Sequence, residues 1–284
     1  MRQAPIPLLL CTNGNEETRP ALESGVWLAS VMKAPIKLLG IVEVPQEESQ
    51  VSSMLEFTRT LMDEAGISYE IVRDSGRGSV VIARHACDET YLTVIGPLGR
   101  PTWRRMVQGR SFRRVLDRVC SPVLYVRCEM VRLKNILVCL GGLEYSGAVE
   151  DLCLYLASFT QASLTLLHIV EPVTLQYPVS VKIQDHWQHI LETDTPQGEN
   201  LRKAMNSAQS TGLPVQFRVR HGNTIHEIIE EVKSGGYDLV GMGSPYSSHS
   251  LRHLYLPNVT AEVAEGIECP VLAVRQGHDL LAES

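Results

Sequence analysis

Short, unbroken apolar runs alternate along this chain with longer stretches whose apolar residues recur every three or four positions. The first kind falls at Pro7–Thr12, Lys37–Val44, Ser68–Arg73, Leu92–Gly96 and Val123–Arg127. Runs of this length, rich in Val, Ile and Leu, predict buried strands. The second kind predicts helices near Glu17–Met32, Glu48–Ala65, Ser79–Ala86 and Ser111–Val119, and Val26, Leu28, Ala29 and Met32 mark the buried face of the first. The strands are continuously apolar rather than alternating, which suits a parallel sheet covered on both faces. Five strands joined by right-handed crossovers give a doubly wound α/β fold. With strand order 3-2-1-4-5 the winding reverses between strands 1 and 4. The loop after Thr12 then lies beside the loop after Gly96.

The pattern is written twice. LLGIVEV at Leu38–Val44 matches LLHIVEP at Leu166–Pro172, an offset of 128, and Cys11 matches Cys139 at the same offset. Gly66 then matches Gly212, and Gly76 matches Gly222, at 146, so the second copy carries 18 extra residues within about 173–200. Ser121-Pro122-Val123-Leu124 matches Cys269-Pro270-Val271-Leu272. Repetition on this scale predicts two tandem domains, residues 1–130 and 131–284, each of ordinary domain size.

Composition narrows the class. The chain is 44% hydrophobic and 20% charged, which is ordinary for a globular protein. A net charge of −6 argues against general nucleic-acid binding, and no apolar run reaches membrane-spanning length. The early IPLLLC has an internal counterpart in ILVC at Ile136–Cys139, so it reads as a strand rather than an export signal. Seven cysteines without a CxxC read as buried, reduced thiols of a cytoplasmic protein.

The chemistry concentrates in Leu92–Arg127. A strand is followed by a loop punctuated by Gly96, Gly99 and Gly109, and then by a helix start near Ser111. Glycines let a backbone approach an anion, and a helix N-terminus offers it free N–H groups. Arg100, Arg104, Arg105, Arg110, Arg113 and Arg114 add positive charge, whether as a solvated face, a phosphate clamp or a docking surface.

In these residues the chain resembles the universal stress protein family in its tandem two-domain form. Nucleotide-binding members of that family carry G-x2-G-x9-G-(S/T) after strand 4. Gly96, Gly99 and Gly109 reproduce the spacing; Arg110 stands at the Ser/Thr position and Ser111 follows. The resemblance implies ATP or a related adenine nucleotide, with or without magnesium, in the first domain. Its adenine would lie near Asn13 and Val42, and its phosphates on the loop of Gly96, Gly99, Arg100, Gly109, Arg110 and Ser111. Asn13 replaces the family's usual Asp. In the second copy Gly243 survives, but Tyr246 replaces the second glycine, Pro257-Asn258 replace Gly-Ser, and Gly141 takes the Asp position. The resemblance therefore implies at most one conventional nucleotide site. It also implies that the final strands, PVLYV and PVLAV, pair within one chain as an intramolecular pseudo-dimer, with a homodimer left open.

Other features read plainly. Glu16 and Glu17 suit a helix start, where acidic side chains favour the dipole. Ser234–Asp238, SGGYD, reads as a helix stop before strand 4 of the second copy. His249 and His253 lack the converging third ligand that a metal needs. His186, Trp187, His189 and Ile190 predict a short amphipathic helix packed on its own domain. No catalytic constellation or P-loop lysine occurs. The functional expectation is a cytoplasmic stress-response regulator or sensor that binds adenine nucleotide and an unidentified protein partner. The alternative is an interaction scaffold of the same fold that binds no nucleotide.

Overall fold

The computed structural model describes residues 5–87, 91–98, 111–141, 147–172, 187–244 and 259–275. They form two compact units. The first comprises residues up to Arg132 together with Pro270–Ala273, and the second runs from Leu133 to Cys269 and includes Val274.

The first unit holds β1 (Leu8–Thr12), α1 (Arg19–Met32), β2 (Ile36–Val42), α2 (Glu48–Glu64), β3 (Tyr69–Ser75), α3 (Gly78–Ala86), β4 (Leu92–Ile95), α4 (Ser111–Leu116) and β5 (Val123–Tyr125). The order of hydrogen-bonded strands is β3-β2-β1-β4-β5, with parallel pairing throughout. β1 lies at the centre, and all five of its residues are buried, which is why its sequence does not alternate. α1 follows a short 3-10 turn, Glu16–Thr18, whose Asn15 side chain accepts from the Glu17 N–H. It lays Ala21, Gly25, Leu28 and Met32 on the core, and Gly25 lets Leu10 pack against the helix backbone. Segment Val271–Ala273 of the last strand, β10 (Val271–Arg275), pairs antiparallel with Tyr125, Leu124 and Val123. The pairing expected of PVLYV and PVLAV therefore forms, and it covers an apolar strand edge that would otherwise invite aggregation.

The second unit repeats the plan with β6 (Asn135–Leu140), α5 (Gly147–Thr160), β7 (Ser163–Val170), α6 (Pro196–Ser210), β8 (Val215–His221), α7 (Thr224–Gly235), β9 (Leu239–Ser244) and α8 (Val259–Gly266). Its strand order is β8-β7-β6-β9-β10. α7 ends on Gly236 in the left-handed conformation, φ 64°, so SGGYD is a helix stop. Within the insertion, Trp187–Glu192 forms a 3-10 helix with Ile190 fully buried. Arg202 donates to the carbonyls of Leu191 and Thr193, each at 2.6 Å, tying the insertion to α6. Packing on its own domain is thus the observed role of these residues; His186 lies outside the described residues.

The cysteines need one correction. None of the seven is in a disulfide, but only Cys11 and Cys153 are buried, while Cys87 and Cys128 are exposed. Cys87 caps the end of α3 and Cys128 lies just beyond β5, both outside the strands.

The edge strand of each unit is tied to the following helix by ions of reversed sign. In the first unit the acid is on the strand: Asp74 meets Arg84 at 2.8 Å and His85 at 3.0 Å. In the second, Arg220 stands on the strand and meets Glu231 at 3.1 Å and Glu227 at 2.7 Å. Asp74 and Arg220, like His85 and Glu231, correspond at the repeat offset of 146.

One substitution between the copies adds a titratable core group. Gly40, overlain by Val51 and Leu55 of α2, becomes His168 in the second unit. His168 is 3% exposed, and its Nδ1 lies 2.8 Å from the Leu140 carbonyl. A carbonyl oxygen can only accept, so Nδ1 carries a proton. Burial lowers its pKa despite the carbonyl, which favours the charged form. A depressed histidine contributes stability above its unfolded value, about pH 6.5, that is lost as pH falls. Replacing His168 with Gln should remove that loss. In thermal melts of the full chain, the melting temperature of the variant minus that of wild type should rise steadily from pH 6.5 to pH 5. A constant difference would show that the ring does not titrate against folding.

Candidate functional site

The winding reverses where β1 and β4 part, and the chain closes tightly there. Gly96, the first residue after β4, is buried. A Cβ on it would stand 2.8 Å from the Cα of Thr18 and 3.0 Å from the carbonyl oxygen of Glu17. The loop after β1 therefore lies directly against the loop after β4. Gly14 closes the other side. It has φ +79°, and a Cβ there would lie 2.5 Å from the Val51 nitrogen of α2.

Hydrogen bonds hold the β1 loop from within. The Thr12 and Thr18 hydroxyls, both fully buried, are 2.7 Å apart. Gly14 N–H donates to the Thr12 hydroxyl at 3.1 Å, and the Thr18 hydroxyl donates to the Asn15 carbonyl at 2.7 Å. The Asn13 side chain accepts from the Asn15 N–H at 3.3 Å through Oδ1. Asn13 itself is half-buried at the end of β1.

Val42 ends β2, and its carbonyl accepts from the Gly76 N–H at 3.0 Å. The next residue, Glu43, accepts from the Gly78 N–H at 2.7 Å, so a carboxylate occupies the N-terminus of α3. Leu98 stands on the same spot, 3.8 Å from where a Gly78 Cβ would be. A ligand phosphate is therefore excluded from this helix terminus by charge. The second unit repeats the device: Val170 accepts from Gly222 at 3.1 Å and Glu171 from the Thr224 N–H at 3.3 Å. Sequence reasoning overlooked Glu43. The signal was there, since Val-Glu closes both repeated strands.

Of the residues marked by the sequence, Asn13, Val42 and Gly96 stand at the carboxyl ends of β1, β2 and β4, on one rim. Ser111 opens α4. Gly99, Arg100, Gly109 and Arg110 lie outside the described residues, as do Trp103, Tyr246, His249, His253 and Pro257-Asn258 of the second copy. Gly141 has open space around it. No group of three or more metal-ligating side chains occurs among the described residues. None of the described helices is long and apolar enough to cross a membrane.

The strand order defines a doubly wound α/β fold, and comparison with known proteins gives its family. The family model for the universal stress protein family matches residues 132–275, half of the chain. The chain belongs to that family. The universal stress protein YxiE of Bacillus subtilis (strain 168) is 27% identical over 146 residues, covering 50% of this chain and 98% of that protein. Among solved structures, a universal stress protein from Archaeoglobus fulgidus DSM 4304 superposes with a TM-score of 0.74 at 16% identity, covering 97% of this chain and 98% of that one. A putative universal stress protein from Pseudomonas aeruginosa UCBPP-PA14 gives a TM-score of 0.69 at 15% identity, covering 99% and 96%. At these identities the structures speak for the fold.

Proposed function

We propose that the first unit binds ATP or a related adenine nucleotide and that the protein acts in the stress response as a cytoplasmic regulator or sensor. The observation that carries this reading is the closed crossing of the β1 and β4 loops at Gly96. It brings the loop after β1, which begins at Asn13, against the start of a loop with the glycine spacing of the family's nucleotide-binding members. On this reading the adenine and ribose lie over the ends of β1 and β2, with the Asn13 amide donating to a ligand oxygen. The phosphates rest on the segment of Gly96, Gly99, Arg100, Gly109, Arg110 and Ser111, with magnesium bound or not. Because Glu43 fills the start of α3, that glycine segment is where the negative charge goes. The second unit, with Tyr246 in place of the second glycine, takes no nucleotide in the same way.

Isothermal titration with ATP tests the assignment. The wild-type chain should bind one equivalent. Gly109→Trp should weaken binding at least 100-fold while leaving the melting temperature of the unliganded protein unchanged, and Gly243→Trp should leave the ATP affinity as it was. Equal affinity in wild type and Gly109→Trp would place the nucleotide elsewhere.

A further inference from the structure

The second unit buries a carboxyl group that the first unit does not have. Glu150 lies in the first turn of α5, is 4% exposed, and its Oε1 has no hydrogen-bond partner among the described residues. At the repeat offset of 128 the first unit has Leu22, which is 1% exposed. An acid has thus replaced a core leucine without acquiring a partner for that oxygen. Its neighbours on α5, Val149 and Cys153, pack on Gly241 of β9, where any Cβ would run into Cys153 Sγ. The packing leaves no slack there.

We propose that the second unit is a pH-responsive module whose switch is Glu150: the carboxyl is neutral inside the folded unit, and its ionisation loosens the packing of α5 against the sheet. The first unit holds Leu22 at this position.

The described residues packed against α5 offer the ionised form no compensation. β9 has no titratable side chain; β6 contributes Cys139, β7 His168, and α6 Glu199, Arg202 and Lys203. Arg202 is turned to the Leu191 and Thr193 carbonyls, and His168 to the Leu140 carbonyl. Cys139 is pushed up to about 12 and Cys153 further still, both by burial, so neither titrates near neutrality. The groups that do act on Glu150 oppose its charge: burial first, then Asp151, push it up to about 8. A carboxyl raised in the folded state contributes stability that is complete below its unfolded pKa, about 4.3, and is lost as pH rises through the folded value. Above pH 6.5 the remaining change from His168 is at most about twofold and runs the other way, so the Glu150 contribution dominates this pair.

Hydrogen exchange on the full chain, corrected for the intrinsic pH dependence of amide exchange, reads this directly. Peptides from α5 should show an opening constant that rises close to tenfold per pH unit at first, roughly 15-fold between pH 6.5 and 8, and then levels. Peptides from α1 serve as the internal control and should show no such rise. In E150Q, and in E150L, which restores the residue of the first unit, the α5 slope should vanish. A flat α5 profile in the wild type, or an unchanged slope in E150Q, would overturn the proposal. The wild-type comparison of α5 with α1 decides the matter even if a variant fails to fold.

Discussion

Replacing Gly14 with alanine should lower the melting temperature of the first unit by about 10 °C. Two independent costs meet at this residue. Its φ of +79° is a region that L-residues rarely adopt, and a Cβ would stand 2.5 Å from the Val51 nitrogen and 2.7 Å from the Gln50 carbonyl carbon. Left-handed strain costs about 1–2 kcal/mol and overpacking about 1–3 kcal/mol. Their sum, about 3 kcal/mol, corresponds to roughly 10 °C for a unit of this size. Neither neighbour can turn aside, because both are backbone atoms of the first turns of α2. Two other glycines separate the contributions. Gly66 has φ +64° but nothing within 4 Å of its Cβ position, so Gly66→Ala tests strain alone, at about 1 kcal/mol. Gly96 is not in the left-handed region but abuts Thr18 backbone, so Gly96→Ala tests overlap alone. Calorimetry should rank the three Gly14, Gly96, Gly66. A Gly14 variant as stable as the Gly66 variant would mean that the β1 loop can move off α2 and is not the fixed rim described above.

The second large effect is expected at Glu231. This carboxylate is 2% exposed and accepts from Arg218 at 2.6 Å, Arg220 at 3.1 Å and the Tyr237 hydroxyl at 2.7 Å. Burial pushes its pKa up, but the hydrogen bonds from Tyr237 and Arg218, with the charges of the two arginines, hold it below the usual carboxylate range. Removing one partner of a buried pair costs about 3–5 kcal/mol. Here the arginine side chains are 46% and 33% exposed, so water can take over part of their solvation. Glu231→Gln should therefore destabilise the second unit by about 2–3 kcal/mol at pH 7. The sign with pH follows from the depressed pKa. The contribution is present above the unfolded value, about 4.3, and is lost as pH falls through the lower folded one. Urea unfolding should show the wild-type advantage intact at pH 6 and shrinking below pH 4. An advantage that grows toward acid would contradict the network.

The fold was legible because both periodicities were strong. β1, β2 and β4 are buried on both faces, so their residues read as unbroken apolar runs, and α1 carries its core residues at helical spacing. The repeat located the strands of the second unit by comparison with the first. The site was legible only where backbone geometry demands a residue type. Gly96 stood out because only glycine lets β4 end against Thr18. Glu43 did not, because a carboxylate on a helix N-terminus looks like any surface acid until the helix is in place. Glu150 and His168 were hidden for the opposite reason: each interrupts an apolar pattern once, and a single polar residue in an amphipathic stretch looks exposed. Only superposing the two copies reveals that they stand at core positions held by Leu22 and Gly40.

Under the proposed function, the first unit alone carries an adenine nucleotide. The most direct measurement is to denature freshly purified full-length protein, remove the precipitate and quantify nucleotide in the supernatant by anion-exchange chromatography, before and after incubation with millimolar MgATP and desalting. One equivalent of adenine nucleotide per chain, absent from Gly109→Trp, is the predicted result. No nucleotide under either condition, with no thermal shift on adding MgATP, would contradict it; two equivalents would contradict the assignment of the site to the first unit alone.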